Sequence, residues 1–194
     1  MTNVHTLNPT PRNIRVMVDL ETMGLGADAL VLSIGAVEID SEARLDNKFY
    51  IEINPNTHPG NIEIETMKFW MKQAFDGNPC PCEGIISLED TLLNFIRWLD
   101  TLTTSNTDTF EIWTNGTDFD IPKLYYAFDE VGQEIPWKYN AVRDARTIYK
   151  LFGSKELEPA KNEDKHNALS DAIWQAKYLA HIFDDLANRG VDIP

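Results

Sequence analysis

Cysteine is almost absent: the 194 residues contain two, Cys80 and Cys82. One intervening residue is too tight for a strain-free disulfide, and a lone C-x-C is no zinc site. The expectation is two free thiols in a reducing cytosol, which places the protein in the cytoplasm. Long apolar runs are missing too. None approaches the roughly 18–20 residues of a membrane span, so no membrane partner is expected. The first fifteen residues, MTNVHTLNPTPRNIR, lack the apolar stretch of a secretory signal. Basic residues are scarce: 17 Lys and Arg stand against 31 Asp and Glu, a net charge of −14. Such a chain repels nucleic acid at long range, which excludes a broad electropositive groove. Any nucleic-acid chemistry has to be built locally, by bound cations or by contacts to a short stretch of strand. Gly and Pro, 10 each, are too few for a fibrous or low-complexity chain.

What is present reads as one domain. A domain of this length buries about 70% of its unfolded surface and needs no disulfide or structural metal. Residues 1–12 read as a flexible N-terminal arm, since Pro9 and Pro11 exclude regular structure, and residues 13–194 as the single domain. Ile14 to Glu21 is rich in branched residues and predicts a strand. Leu30 to Ile39 is a nearly continuous apolar run and predicts a buried strand. Asp46 to Ile53 predicts a third, with Phe49, Ile51 and Ile53 alternating, and the short links imply an antiparallel meander. Glu63 to Ala74 predicts a helix carrying Met67, Trp70 and Met71. The breaker-rich DGNPCPCEG (76–84) is a loop. Ser87, with Asp90 three residues on, caps a second helix whose apolar positions are Leu88, Leu92, Phe95 or Ile96, and Leu99. Phe110 to Thr114 predicts a strand. A helix follows from Phe119–Asp120, with Pro122 in its first turn. A short helix covers 144–152, a charged loop 153–165 and a final helix 167–187. Strands, helices, a strand and helices again give a mixed sheet with helices packed on it.

Carboxylates carry the chemical signal. Asp19 and Glu21 end the first strand two residues apart, so they share one face. Like charges so close repel unless a cation or a proton intervenes. The spacing alone is weak: this composition supplies about one D-x-E by chance, and Asp40-Ser41-Glu42, in a polar turn, reads as a solvated second copy. Asp118 and Asp120 follow the fourth strand, where an acid is equally well explained by the preference of helix N-termini for negative charge. His166 and Asp171 flank the start of the last helix. Five residues on a helix is about 140° of rotation, so the two converge only if His166 lies in the loop and Asp171 in the helix. Ala168 and Ala172 flank Asp171 and let that helix approach the sheet closely.

Together these segments resemble the DEDDh 3′–5′ exonuclease superfamily. The matching elements are a strand-end D-x-E, F-D-x-x-x-L at a helix start (Phe119, Asp120, Leu124) and H-x-A-x-x-D-A on a late helix (His166, Ala168, Asp171, Ala172). The chain looks most like the phage exonuclease A and mycobacterial-type 3′–5′ exoribonuclease branch. Glu65 to Gln73 resembles that branch's T-x-x-W-W-x-x-Q helix, with Phe69 at the first Trp, and Arg143 to Ile148 its segment before the third motif. The resemblance spans about residues 14–185. It implies an α/β fold of the ribonuclease H-like type, a mixed five-stranded sheet flanked by helices. The F-D-x-x-x-L register favours Asp120 over Asp118. Thr114-Asn115-Gly116 departs from the His-Asn that often precedes the second Asp, which weakens the assignment of Asn115.

By resemblance, Asp19, Glu21, Asp120 and Asp171 hold two divalent cations. An all-oxygen set selects Mg²⁺ or Mn²⁺. Asp19 bridges the two ions, Glu21 and Asp171 hold the one that binds the attacking water, and Asp120 supports the other through water. His166 is the general base. Thr22, Met23 and Leu25 in the following loop, with Asn115, meet the terminal nucleotide. Leu25 as a wedge competes with Leu25 as an ordinary loop anchor, Trp70 as a stacking platform with Trp70 as core, and Arg146 as a phosphate contact with Arg146 in a surface ion pair. The implied partner is the 3′ end of single-stranded DNA or RNA, and the products are nucleoside 5′-monophosphates. A homo-oligomer is left open. The alternatives are a hydrolase of short oligonucleotides or nucleotides, which the acidity suits, and a catalytically silent ribonuclease H-like binding module, which predicts a missing carboxylate.

Overall fold

A computed structural model of the chain describes residues 11–39, 45–78 and 80–191. The central strand β1 (Asn13–Thr22) places Ile14, Val16, Val18 and Leu20 on one face and Met17, Asp19 and Glu21 on the other. Next to it, β2 (Val31–Ile39) is buried along its whole length, as its unbroken apolar run requires. It pairs antiparallel with β1 and with β3 (Lys48–Glu52), which is the expected meander. Helices α1 (Ile64–Phe75) and α2 (Leu88–Leu102) follow. Strand β4 (Thr109–Thr114) returns parallel to β1 on its other side. Then come α3 (Asp120–Glu130), β5 (Val142–Asp144), α4 (Ala145–Phe152) and α5 (Ala168–Asn188). The sheet order is β3-β2-β1-β4-β5, a mixed five-stranded sheet flanked by helices.

Each face of the sheet has its own core. Val16, Val18, Leu20 and Ile34 meet α2 and α3 through Leu92, Phe95, Leu99 and Phe128. Ser87 caps α2 as expected: its hydroxyl accepts the Asp90 N–H at 3.0 Å and donates to the Asp90 carboxylate at 2.8 Å. Phe95 is fully buried and Ile96 only partly, which resolves that alternative. On the other face Met17, Val37 and Trp113 meet Ala172, Ala176, Leu179 and Ala180 of α5. Small side chains let this helix lie close to the strands. Gly35 of β2, directly across from Asp19, completes the fit, because a Cβ there would collide with the backbone of Ala168 and Leu169.

Helix α1 is more exposed than its sequence suggests. Trp70 alone is buried, against Leu30 and Leu32, while Met67 and Met71 lie at the surface. The strand expected over 46–53 starts at Lys48 and ends at Glu52, although Ile53 is still fully buried. Most of the expected arm (1–12), and the pair Asp40 and Glu42, lie outside the described residues. Arg12 is held: its N–H donates to Asp108 and its guanidinium to Glu38 and the Leu102 carbonyl. Among the described residues, no helix is long and apolar enough to cross a membrane.

Candidate active site

Strand alternation delivers Asp19 and Glu21 to the α5 face of β1. The Gly35 gap seats the first turn of α5 against them. That turn carries Asp171, and the loop before it carries His166. Asp19, Glu21, His166 and Asp171 therefore line one cleft of about 620 Å³, with Asn115 at the end of β4 on its wall. The fourth carboxylate is the first residue of α3. Asp120 is 3% exposed and bears electrostatically on both Asp19 and Glu21, whereas Asp118 points to solvent.

Crowding these acids in a poorly hydrated site shifts them. Burial drives the Asp19 carboxyl well above the ordinary range; Asp120, Glu21 and Asp171 add repulsion, and a hydrogen bond from Gln175 opposes it. Glu21 is pushed up to about 8, first by burial and then by Asp171 and Asp120. Asp120 is pushed up to about 7 by burial, against the pull of Lys123, the Leu20 backbone and Arg146. Left to itself, the cluster keeps protons it would lose in water. A divalent cation answers the same repulsion, and one oxygen or nitrogen each from Glu21, His166 and Asp171 lie within 4.8 Å of one another. The residues fit a hard divalent ion: the donors are carboxylates with one imidazole and no sulfur. The nearer thiol, Cys80, is pushed up to about 12 by burial and by Cys82, so it offers no thiolate nucleophile.

His166 and Asp171 converge by the one route open to them. His166 takes φ 64°, the left-handed region, just before the N-cap Asn167. Its N–H then donates to Asp171 Oδ2 at 2.9 Å, and its ring stands edge-on to Phe69 at 4.9 Å. The expected substrate loop is less uniform. Thr22 is buried and donates to the Gly24 carbonyl. Met23 packs toward Leu30, Leu32 and Trp70, and its backbone groups pair with Leu30 and Glu63. Leu25 is 70% exposed, which rules out the loop-anchor reading. Trp70 is a core residue whose Nε1 donates to the Thr22 carbonyl at 3.0 Å. Arg146 donates to the Asn115 carbonyl at 2.6 Å and lies against Gly116, and among the described residues it forms no ion pair within 4 Å.

Several site residues escaped the sequence reading. Gln175 Nε2 donates to Asp19 Oδ1 at 2.9 Å. Its signal was legible, since it lies one turn after Asp171 on the face of Ala168 and Ala172. Asn162 donates to Asp171 Oδ1 at 2.7 Å from an aperiodic loop that gives no local signal. Lys123 and Glu63 hold the 22–26 loop from either side.

The arrangement suits hydrolysis of a phosphodiester: an acidic cluster that could hold a metal ion, with an imidazole at its edge. Residues 14–183 match the 3′–5′ exoribonuclease Rv2179c-like domain family. The chain belongs to this family. The family is one of 3′–5′ exoribonucleases, and the protein is an enzyme of that class. No curated protein sequence matches the chain. Among solved structures, the nuclease domain of 3'hExo, a DEDDh family member bound to rAMP, superposes with TM-score 0.67 at 10% identity, over 94% of this chain and 96% of that one. A full-length 3′-exonuclease gives TM-score 0.61 at 11% identity, over 95% and 85%. E. coli exonuclease I in complex with a dT13 oligonucleotide gives 0.60 at 15% identity, over 92% of this chain but only 42% of that one. At these identities the likeness is one of fold. The mixed five-stranded sheet of this Rv2179c-like chain is the DEDDh exonuclease fold.

Proposed function

We propose that the protein shortens single-stranded nucleic acid from its 3′ end, releasing nucleoside 5′-monophosphates, with residues 13–194 acting as one domain. The observation that carries this reading is the convergence of Asp19, Glu21, Asp120, Asp171 and His166, from three separate stretches of chain, at one end of the sheet. Asp19, Glu21, Asp120 and Asp171 would hold two divalent cations, Mg²⁺ or Mn²⁺. Bound there, such ions supply an activated water and stabilise charge on the leaving 3′-oxygen. His166, at the cleft edge, would take the proton of the attacking water. Asn162 and Gln175 orient Asp171 and Asp19. Thr22 and Leu25 line the neighbouring apolar cleft, where the last nucleotide would sit, and Asn115 faces the scissile side. The family's description supports RNA as the polymer. The free thiols of Cys80 and Cys82 support the cytoplasm as its compartment.

Thermal melting with and without metal tests the site. Millimolar Mn²⁺ should raise the Tm at neutral pH, because it binds only the folded carboxylate cluster. Asp19→Asn should lose most of that rise. Equal responses from wild type and variant would remove the metal site and the reading with it.

A further inference from the structure

Lys123 is the one buried cation among the described residues, at 1% exposure. An ammonium out of water costs free energy unless its donors are used. Here they are used in an unusual way. Nζ donates to the Phe119 carbonyl at 3.1 Å, within α3's own first turn, and to the Leu25 carbonyl at 3.0 Å, 98 residues away in sequence. The ring of Phe119 covers the charge, its centroid 3.3 Å from Nζ. On the other side of the loop, Glu63 Oε1 accepts the N–H groups of Leu25 at 2.8 Å and Gly26 at 3.2 Å. Both polar ends of the Leu25 peptide are thus held by oppositely charged side chains rather than by a strand or helix ladder. Yet the Leu25 side chain itself is exposed, an apolar group presented on a fixed backbone. Leu25 and Phe119, the two groups that Lys123 ties together, are walls of the apolar cleft beside Glu21 and His166, about 370 Å³ in volume.

We propose that Lys123 is a positioning residue for substrate: by bridging Phe119 and Leu25 it fixes the 22–26 loop against the start of α3, so that this cleft keeps the width to seat a 3′-terminal nucleotide. Glu63 is its counterpart on the opposite side of the loop. A core-filling role would be met better by Leu or Met, which carry no desolvation cost. What those residues lack, besides the positive charge that bears on Asp120, is a donor at the tip of a long chain that reaches past Phe119 to a carbonyl of another segment. The assignment rests on the exonuclease reading for the nature of the ligand, but the clamp itself does not.

The test is Lys123→Met, close in length and without donors, read in two ways. Hydrogen exchange of the ligand-free protein should show the Leu25 and Gly26 amides exchanging about tenfold faster or more, with α5 unchanged. With a 5′-labelled oligonucleotide at saturating Mn²⁺, so that loss of the Lys123 charge beside Asp120 does not limit metal binding, KM should rise about tenfold while kcat stays within about threefold. Unchanged exchange at Leu25 and Gly26, or activity lost only in proportion to the unfolded fraction, would overturn the assignment. If Lys123→Met fails to fold, Glu63→Ala, on the half-exposed side of the loop, removes the other half of the clamp and should give the same pair of effects. A wild type inert toward every oligonucleotide would end the exonuclease reading, while the exchange measurement still decides whether Lys123 holds the loop.

Discussion

His166 combines a strained backbone with the role assigned to its ring. A left-handed φ costs an L-residue about 1–2 kcal/mol relative to glycine. Here it turns the N–H toward Asp171 while the ring faces the cleft. His166→Gly should therefore melt higher than His166→Ala by an amount equivalent to about 1 kcal/mol. Both should lose a factor of about 10²–10⁴ in kcat. Equal stability of the two variants would show that the strain is not borne at this residue, and retained kcat would remove the general base. The carboxylates set a pH dependence of stability. In the metal-free protein Glu21 is held near 8 and Asp120 near 7, against ordinary values of 4.5 and 3.8. Below the ordinary values both are protonated, folded or unfolded. As pH rises, the unfolded chain releases protons that the folded chain keeps, so stability falls until pH passes about 8. The Tm of chelator-treated protein should thus drop between pH 5 and pH 8. Glu21→Gln should flatten the drop, and an unchanged profile would contradict the assigned crowding.

The elements explain why the carboxylates meet. Alternation along β1 assigns Asp19 and Glu21 to one face from sequence alone, and the small residues of α5 mark the face that approaches them. The remaining contact, Gly35 beneath the Ala168–Leu169 peptide, lies between segments more than 130 residues apart and leaves no local pattern. Gly35→Ala should push the first turn of α5 outward, cost about 1–3 kcal/mol of stability and abolish the metal-induced rise in Tm. Calorimetry with and without Mn²⁺ measures both effects, and an intact rise would show that α5 seats without the gap. Strand β5 was illegible residue by residue, because three residues, two of them charged, carry no periodicity. Its pairing with β4, through Ile112–Val142 and Thr114–Asp144, makes it a strand. Similarly, Asn162 is positioned by Trp174, whose Nε1 donates to Ala160, and by Ser170, which donates to Asp164. Such long-range anchoring of a loop has no signature in the loop's own composition.

For the molecule as a whole, the net charge of −14 and the proposed polymer substrate are reconciled by where the charge lies. Part of it is concentrated in the cleft, where divalent cations would invert the local sign and meet a phosphate. Exposed Lys161 and Lys165 on the cleft wall add the few positive charges near that point. Binding built this way is local to a free end and does not need a long basic groove. The decisive measurement is a time course on 5′-labelled single-stranded RNA and DNA oligonucleotides, with Mn²⁺ or with chelator, resolved on a sequencing gel. The expected result is a ladder that shortens one nucleotide at a time from the 3′ end, only with metal, and not with Asp171→Asn. Oligonucleotides left whole after long exposure to Mn²⁺, or cut internally, would contradict it.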